Sequence, residues 1–223
     1  MSMIDSFREF EKAYIKLVSI ILEKYDFQYG LKHGDHDQST HGRGGGAQKE
    51  WEGGLSAEQQ KSFASYTGKG YKRMRKCQNA GKGCNPTTKE DIGNIEKALE
   101  SAPLVEGVVY RGLSFPKGGP GSREDYKFKS AMMDAMHDGS DFETKGFTST
   151  TSDIKTAREF AGAKDQSMNG YILQMKTKSG VDVTNFSKFE ESEVLLGKGT
   201  KFKVLDVDGG INPGMTTFVL EEV

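Results

Sequence analysis

The chain reads as an α+β protein, with helices in its first half and mainly antiparallel sheets packed on each other in its second. Three observations predict this. Between residues 55 and 101, apolar residues recur at helical spacing in blocks punctuated by glycine and an Asn85-Pro86 step. From Pro103 onward, short β-branched and aromatic runs follow one another with few helical patterns between them, which favours antiparallel pairing. The length of 223 residues suits one domain with a sizeable core, or a domain plus an appendage.

Residues 3–29 carry Ile4, Phe7, Tyr14, Leu17, Val18, Ile21, Leu22 and Tyr25 at three- and four-residue steps, an amphipathic helix. It suits packing on its own domain, on a second copy, or on another protein. Residues 30–54 are a flexible linker by composition, since glycine and short polar residues bury too little surface to offset ordering entropy. His33, His36 and His41 lie there among Asp35 and Asp37. The spacing could ligate a divalent metal, but no strand or helix frames it, so no metal is expected. The third segment, 55–223, is the main domain. Ser56 caps a helix that ends at Gly68, a basic helix runs on to about Gly81, and Thr87 or Thr88 caps a third with Ile92, Ile95 and Leu99 on one face. The expected strands are 108–111, 146–149, 170–176, 181–183, 193–196, 201–207 and 216–221. An amphipathic stretch at about 122–137 and a helix at 153–163, capped by Ser152 or Asp153, interrupt them.

Bulk composition excludes several classes. With 31 basic and 32 acidic residues the net charge is -1, so no global excess points to nucleic acid or an anionic membrane. No stretch approaches the ~18 consecutive apolar residues of a membrane span. Asp5, Arg8, Glu9, Glu11 and Lys12 interrupt any signal-peptide core, so a cytoplasmic start is expected. Hydrophobic content of 35% with 28 glycines fits a domain that carries a linker. Cys77 and Cys84 give no disulfide framework and read as ordinary thiols, close enough to pair under oxidising conditions.

Three motifs carry chemistry. In FEESEVLL, Glu191 and Glu193 flank one serine before an apolar run; residues two apart on a strand share a face, and like charges held close are costly. In VVYRG, Arg111 ends an apolar strand, where its planar fork can grip a phosphate. In GFTSTTSD, Ser149, Thr150 and Thr151 lead into a helix. Each also has a plain reading on its own: a solvated acid pair, a solvated arginine, and hydroxyls that cap a helix.

In this order and spacing, the three resemble the Arg–Ser–Glu signature of the mono-ADP-ribosyltransferases, the class containing the clostridial binary-toxin enzymes. SYTGKGY at 65–71 is similar to the helix–turn–helix that opens that domain. VYRG resembles the arginine motif. FTSTTSD resembles the aromatic-Ser-Thr-Ser strand, with Thr151 keeping the hydroxyl of the last serine. GVDVTNFSKFEESEVLLGKGTKFKV is similar to the loop and final strands. The resemblance covers roughly 55–223. It implies NAD as co-substrate, held in a cleft between two small sheets. Arg111, with Gly112 beside it, would hold an NAD phosphate. Ser149 would orient Glu193, and Thr150 and Thr151 would complete that strand's contacts. Glu193 would bind the nicotinamide ribose 2′-OH and stabilise the positive charge that develops as the glycosidic bond breaks. Glu191 would orient or deprotonate the acceptor, and Glu at this position goes with arginine of a target protein as acceptor. Phe160 falls where the family has an aromatic against the nicotinamide, and core packing with Ala157 and Ala161 is the competing reading. The opening helices would bring an arginine to the phosphates, but Arg73 and Arg75 both fall outside the family register.

The KHGDHDQSTHGRGG tract resembles a segment of tailed-phage head and portal-associated proteins. That implies a phage-borne effector carried in the virion and acting in the cytoplasm of the bacterial host, with residues 1–54 attaching to head or portal proteins. Two other readings stay open. One is a virion structural protein with a degenerate transferase fold. The other is an NAD glycohydrolase or a transferase acting on RNA, for which Lys69, Lys72, Arg73, Arg75 and Lys76 speak.

Overall fold

A buried tryptophan organises the start of the described chain. The structure is a computed structural model, and the residues it describes are 45–80, 84–118, 121–163, 165–187, 192–208 and 215–223. The expected helix at 3–29, the histidine tract and the segment Phe189 to Glu191 lie outside them. Helix α1 (Gly46–Gly54) occupies residues that composition assigned to the linker. Its Gln48 and Trp51 share one face and are buried. The Trp51 indole donates to Ala98 O at 3.1 Å, and its ring stands edge-on to Phe63 and Phe186. One large aromatic anchor outweighs the entropic cost of the glycines around it.

Helix α2 (Ala57–Ser65) starts at a capping box: Ser56 Oγ accepts from Gln59 N, and Gln59 Oε1 accepts from Ser56 N. A π-helical turn (Tyr66–Gly70) kinks the chain at Gly68 into helix α3 (Tyr71–Ala80). Helix α4 (Pro86–Leu99) starts two to three residues earlier than capping by Thr87 or Thr88 would place it. Asn85 is the cap, its side chain accepting from Thr88 N at 2.7 Å, and Pro86 takes the first helical position, where a missing N–H costs nothing. Cys77 and Cys84 form a disulfide across the α3–α4 connection, with Cα atoms 5.1 Å apart; they are not the ordinary thiols that their spacing suggested.

The remaining elements are β1 (Leu104–Pro116), α5 (Gly121–Asp138), β2 (Asp141–Glu143), β3 (Thr148–Thr151), α6 (Ile154–Phe160), β4 (Met168–Asp182), a 3-10 turn (Thr184–Phe186), β5 (Glu193–Leu196), β6 (Lys201–Asp208) and β7 (Met215–Glu222). The α+β class and mainly antiparallel pairing stand; β4 and β7 alone run parallel among the described strands. The strands hydrogen-bond in the order β1-β3-β5-β4-β7-β6-β2, and β1 also pairs with β4. Two sheets therefore share β1 and β4 and join into one. This is possible because both strands are long. β4 merges two expected strands through Thr177–Gly180, where the Glu222 carboxylate accepts from Thr177 Oγ1, Lys178 N and Ser179 N.

Two main apolar clusters result. One packs α5, through Met132 and Ala135, on the sheet residues Val109, Leu173, Phe202 and Phe218. The other packs the N-terminal helices, through Trp51, Phe63, Tyr66, Met74 and Ile95, on Phe147, Val181, Val183 and Leu195. Residues 147–151 and 193–195 thus lie where the helical layer meets the sheet.

Candidate active site

The site is built from strand alternation. On β3, Phe147 leads into Thr148–Thr151, so Phe147, Ser149 and Thr151 share the face toward the helical layer while Thr150 points the other way. Opposite them, Leu195 pairs with Ser149 and Glu193 pairs with Thr151. Ser149 and Glu193 are therefore diagonal neighbours on one face. Glu193 is only 6% exposed, an unusual place for a carboxylate in a merely structural strand.

Arg111 enters from β1, next to Tyr110, which pairs with Thr151. Its Nη1 donates to Ser149 O at 2.5 Å, which ties the guanidinium to the serine strand. From the other side, the hydroxyls of Tyr66 and Ser149 meet at 3.0 Å. The charges of Arg75 and Glu193 both act on Arg111 and on Tyr66, so five side chains from the π turn, α3, β1, β3 and β5 share one electrostatic site.

Among the described residues, that site holds two guanidiniums against one carboxylate. Burial, then repulsion from Arg75, pull the Arg111 guanidinium down to about 10, and Tyr66 and Glu193 only partly offset this. Two mutually repelling guanidiniums beside one buried carboxylate fit a ligand that brings its own anion, as a dinucleotide diphosphate does. Arg73 plays a different part. It donates to Thr88 Oγ1 and Ser65 Oγ and forms an ion pair with Asp91, joining α3 to α4.

Of the residues singled out from sequence, Arg111, Ser149 and Glu193 come together and Thr151 lies directly across from Glu193. Glu191 lies outside the described residues. Thr150 is not in the site: its hydroxyl is buried and donates to Val194 O at 2.6 Å, pinning β3 to β5. Thr151 Oγ1 accepts from Asp153 N at 3.0 Å, which adds a structural duty at the entry to α6. Gly112 faces the α6 backbone, where a Cβ would come within 1.9 Å of Ala157 O. Phe160 is 56% exposed and lines a cavity of about 510 Å³ with Ser114, Glu159 and Met168. Core packing is left to Ala157 and Ala161, so the aromatic ring is available to a ligand. The residue with no role assigned from sequence is Tyr66, although it stands in the quoted SYTGKGY motif. The signal was a tyrosine directly before a glycine-rich kink.

Comparisons with known proteins give the chain a family. The chain is 29% identical over 167 residues to the NAD(+)–arginine ADP-ribosyltransferase EFV of Enterococcus faecalis, covering 71% of this chain and 31% of that protein. It is 26% identical over 152 residues to the putative NAD(+)–arginine ADP-ribosyltransferase Mav of Mycobacterium avium, covering 68% and 16%. The chain spans less than a third of the length of the curated relatives it matches. In structure it is similar to the C3 exoenzyme of Clostridium limosum, with a TM-score of 0.60 at 18% identity, covering 79% of this chain and 89% of that one. The model of the ADP-ribosyltransferase exoenzyme family matches residues 43–223, and the chain belongs to that family of NAD-dependent transferases.

Proposed function

We propose that this chain transfers ADP-ribose from NAD to an arginine side chain of a target protein. The observation that carries the proposal is the meeting of Arg111, Ser149 and Glu193 from three strands in a part-buried site where Arg75 repels Arg111. NAD supplies a glycosidic bond whose cleavage leaves positive charge on the ribose. Glu193, fixed and buried on β5, faces that charge, and a preorganised carboxylate is worth most where water is excluded. Arg111 and Arg75 hold the diphosphate, Arg111 already anchored through Ser149 O. Phe160 offers its exposed ring to the nicotinamide.

The arginine acceptor rests on Glu191, two residues before Glu193, and is supported by the similarity to Mav and EFV, whose names give arginine as the acceptor. A guanidinium is protonated in water and a poor nucleophile, so transfer needs a base close to the acceptor. Incubation with labelled NAD and a small guanidine such as agmatine tests this. Glu193→Gln is expected to lose both transfer and NAD hydrolysis, on the order of 100-fold or more. Glu191→Gln is expected to lose transfer and keep hydrolysis; equal loss of both would remove the acceptor role.

The histidine tract supports a further step, that the chain is a tailed-phage effector acting in the host cytoplasm, with the segment before α1 attaching it to head or portal proteins. Deleting residues 1–44, outside the described fold, is expected to abolish particle incorporation without loss of transferase activity. Incorporation at the wild-type level would sink this step.

A further inference from the structure

Tyr66 is among the most deeply buried large side chains of the protein, at 1% exposure, and its hydroxyl reaches a residue of the site. Its ring is held edge-on to Phe147 at 5.7 Å, within the cluster formed by α1, α2 and α3. The next residue fixes the backbone. Thr67 Oγ1 donates to Phe63 O and to Phe186 O at 2.7 Å, so the π turn is tied to the end of α2 and to the 3-10 turn before β5. The phenol oxygen is therefore a rigid point. Ser149, by contrast, has a small side chain with three staggered wells open to it. The 3.0 Å contact with Tyr66 selects one of them.

We propose that Tyr66 is a positioning residue for catalysis: its buried hydroxyl holds the Ser149 hydroxyl so that the serine's single proton is directed to the Glu193 carboxylate. This rests on the reading of Ser149 and Glu193 as working groups of the transferase. A hydroxyl has one proton to donate and two lone pairs to accept with. When Tyr66 donates to Ser149 Oγ, the serine keeps its own proton for the carboxylate that is its diagonal neighbour across β3 and β5. Burial pushes the Tyr66 phenol above its ordinary value of 10, so it remains a protonated donor across the neutral range. Without it, the serine rotates or turns its proton to a nearby carbonyl, and Glu193 loses a donor that fixes its orientation.

The test uses the full chain and acceptor-free NAD hydrolysis. Tyr66→Phe keeps the ring and its packing and removes one oxygen. Its kcat is expected to fall about tenfold, the worth of one lost hydrogen bond, with KM for NAD within about twofold of wild type. Ser149→Ala is expected to fall at least as far, and Tyr66→Phe added to Ser149→Ala is expected to change nothing more, because the two act through one contact. Thermal melts of all variants identify a purely structural role, which lowers Tm and leaves kcat alone. The proposal is overturned if Tyr66→Phe turns over at the wild-type kcat while Ser149→Ala is impaired, or if the two losses multiply. Wild-type hydrolysis by Ser149→Ala would instead remove the reading of Ser149 on which the proposal stands.

Discussion

Gly112 stands in the arginine motif, yet the hydrogen it has in place of a side chain faces a helix. A Cβ there would lie 1.9 Å from Ala157 O and 2.7 Å from Ala161 N, both in or just after α6. Gly112→Ala must push α6 off β1, at a cost of about 1–3 kcal/mol by the usual scale of overpacking. Gly93→Ala makes the opposite case. It sits inside α4 with nothing within 4 Å of the new methyl, so it is expected to gain up to about 1 kcal/mol. Urea unfolding of both variants checks this; equal signs would mean that close approach does not govern Gly112. The pair also marks what the residues disclosed on their own. Arg111, Ser149 and Glu193 were legible because their chemistry survives as order and spacing. Thr150 was counted with the site although strand alternation turns it away from Ser149, and its hydroxyl goes to Val194 O. The role of Gly112 was not legible, because a close approach between β1 and α6 is a tertiary fact with no local mark.

Elements were misread where one contact outweighed composition. Helix α1 was lost among glycines, although Trp51 sits in it and is buried against Ala98, Phe63 and Phe186. β1 and β4 looked short because Gly107 and the Thr177–Gly180 bend interrupt their apolar runs. The Cys77–Cys84 bridge was set aside for a different reason: a seven-residue separation allows pairing but does not require it. That bridge matters to the site, because Gln78, one residue along α3, accepts from Phe147 N at the foot of β3. Closing an eight-residue loop restricts the unfolded chain by about 2.5 kcal/mol. Dithiothreitol is therefore expected to lower Tm by roughly 5–10 °C for a domain of this size. The Cys77→Ser/Cys84→Ser variant is expected to melt at the reduced protein's temperature and to be indifferent to the reductant. A wild-type melt unmoved by complete reduction, verified by thiol titration, would show that the bridge contributes no stability.

At the scale of the whole molecule, the sheet depends on pairings between distant segments, and these set its response to acid. Local periodicity predicted strands but could not say that β7 would lie parallel to β4, nor that β1, β3, β5 and β4 would close on one another. One carboxylate secures the far end of that arrangement. Glu222, on the last strand, is 8% exposed and accepts hydrogen bonds from Thr177 Oγ1 at 2.6 Å, Lys178 N at 2.5 Å and Ser179 N at 3.0 Å. Burial favours the neutral acid, but the bonds from Ser179, Thr177 and the two amides together outweigh it, and the carboxyl sits below its ordinary value of 4.5. The sign follows directly. A folded-state value below the unfolded one gives stability that is fully present above about 4.5 and is lost as pH falls through the folded value. Glu222→Gln keeps one acceptor oxygen and loses the charge, so at neutral pH it is expected to be less stable by about 1–3 kcal/mol, the range for charge-assisted bonds. The gap between wild type and variant should hold steady from pH 7 to about 5 and narrow below 4.5, because the wild-type group then becomes neutral as well. Urea titrations at several pH values measure the gap. A gap as wide at pH 3 as at pH 7 would mean that packing at the bend, rather than the charge on Glu222, joins β7 to β4.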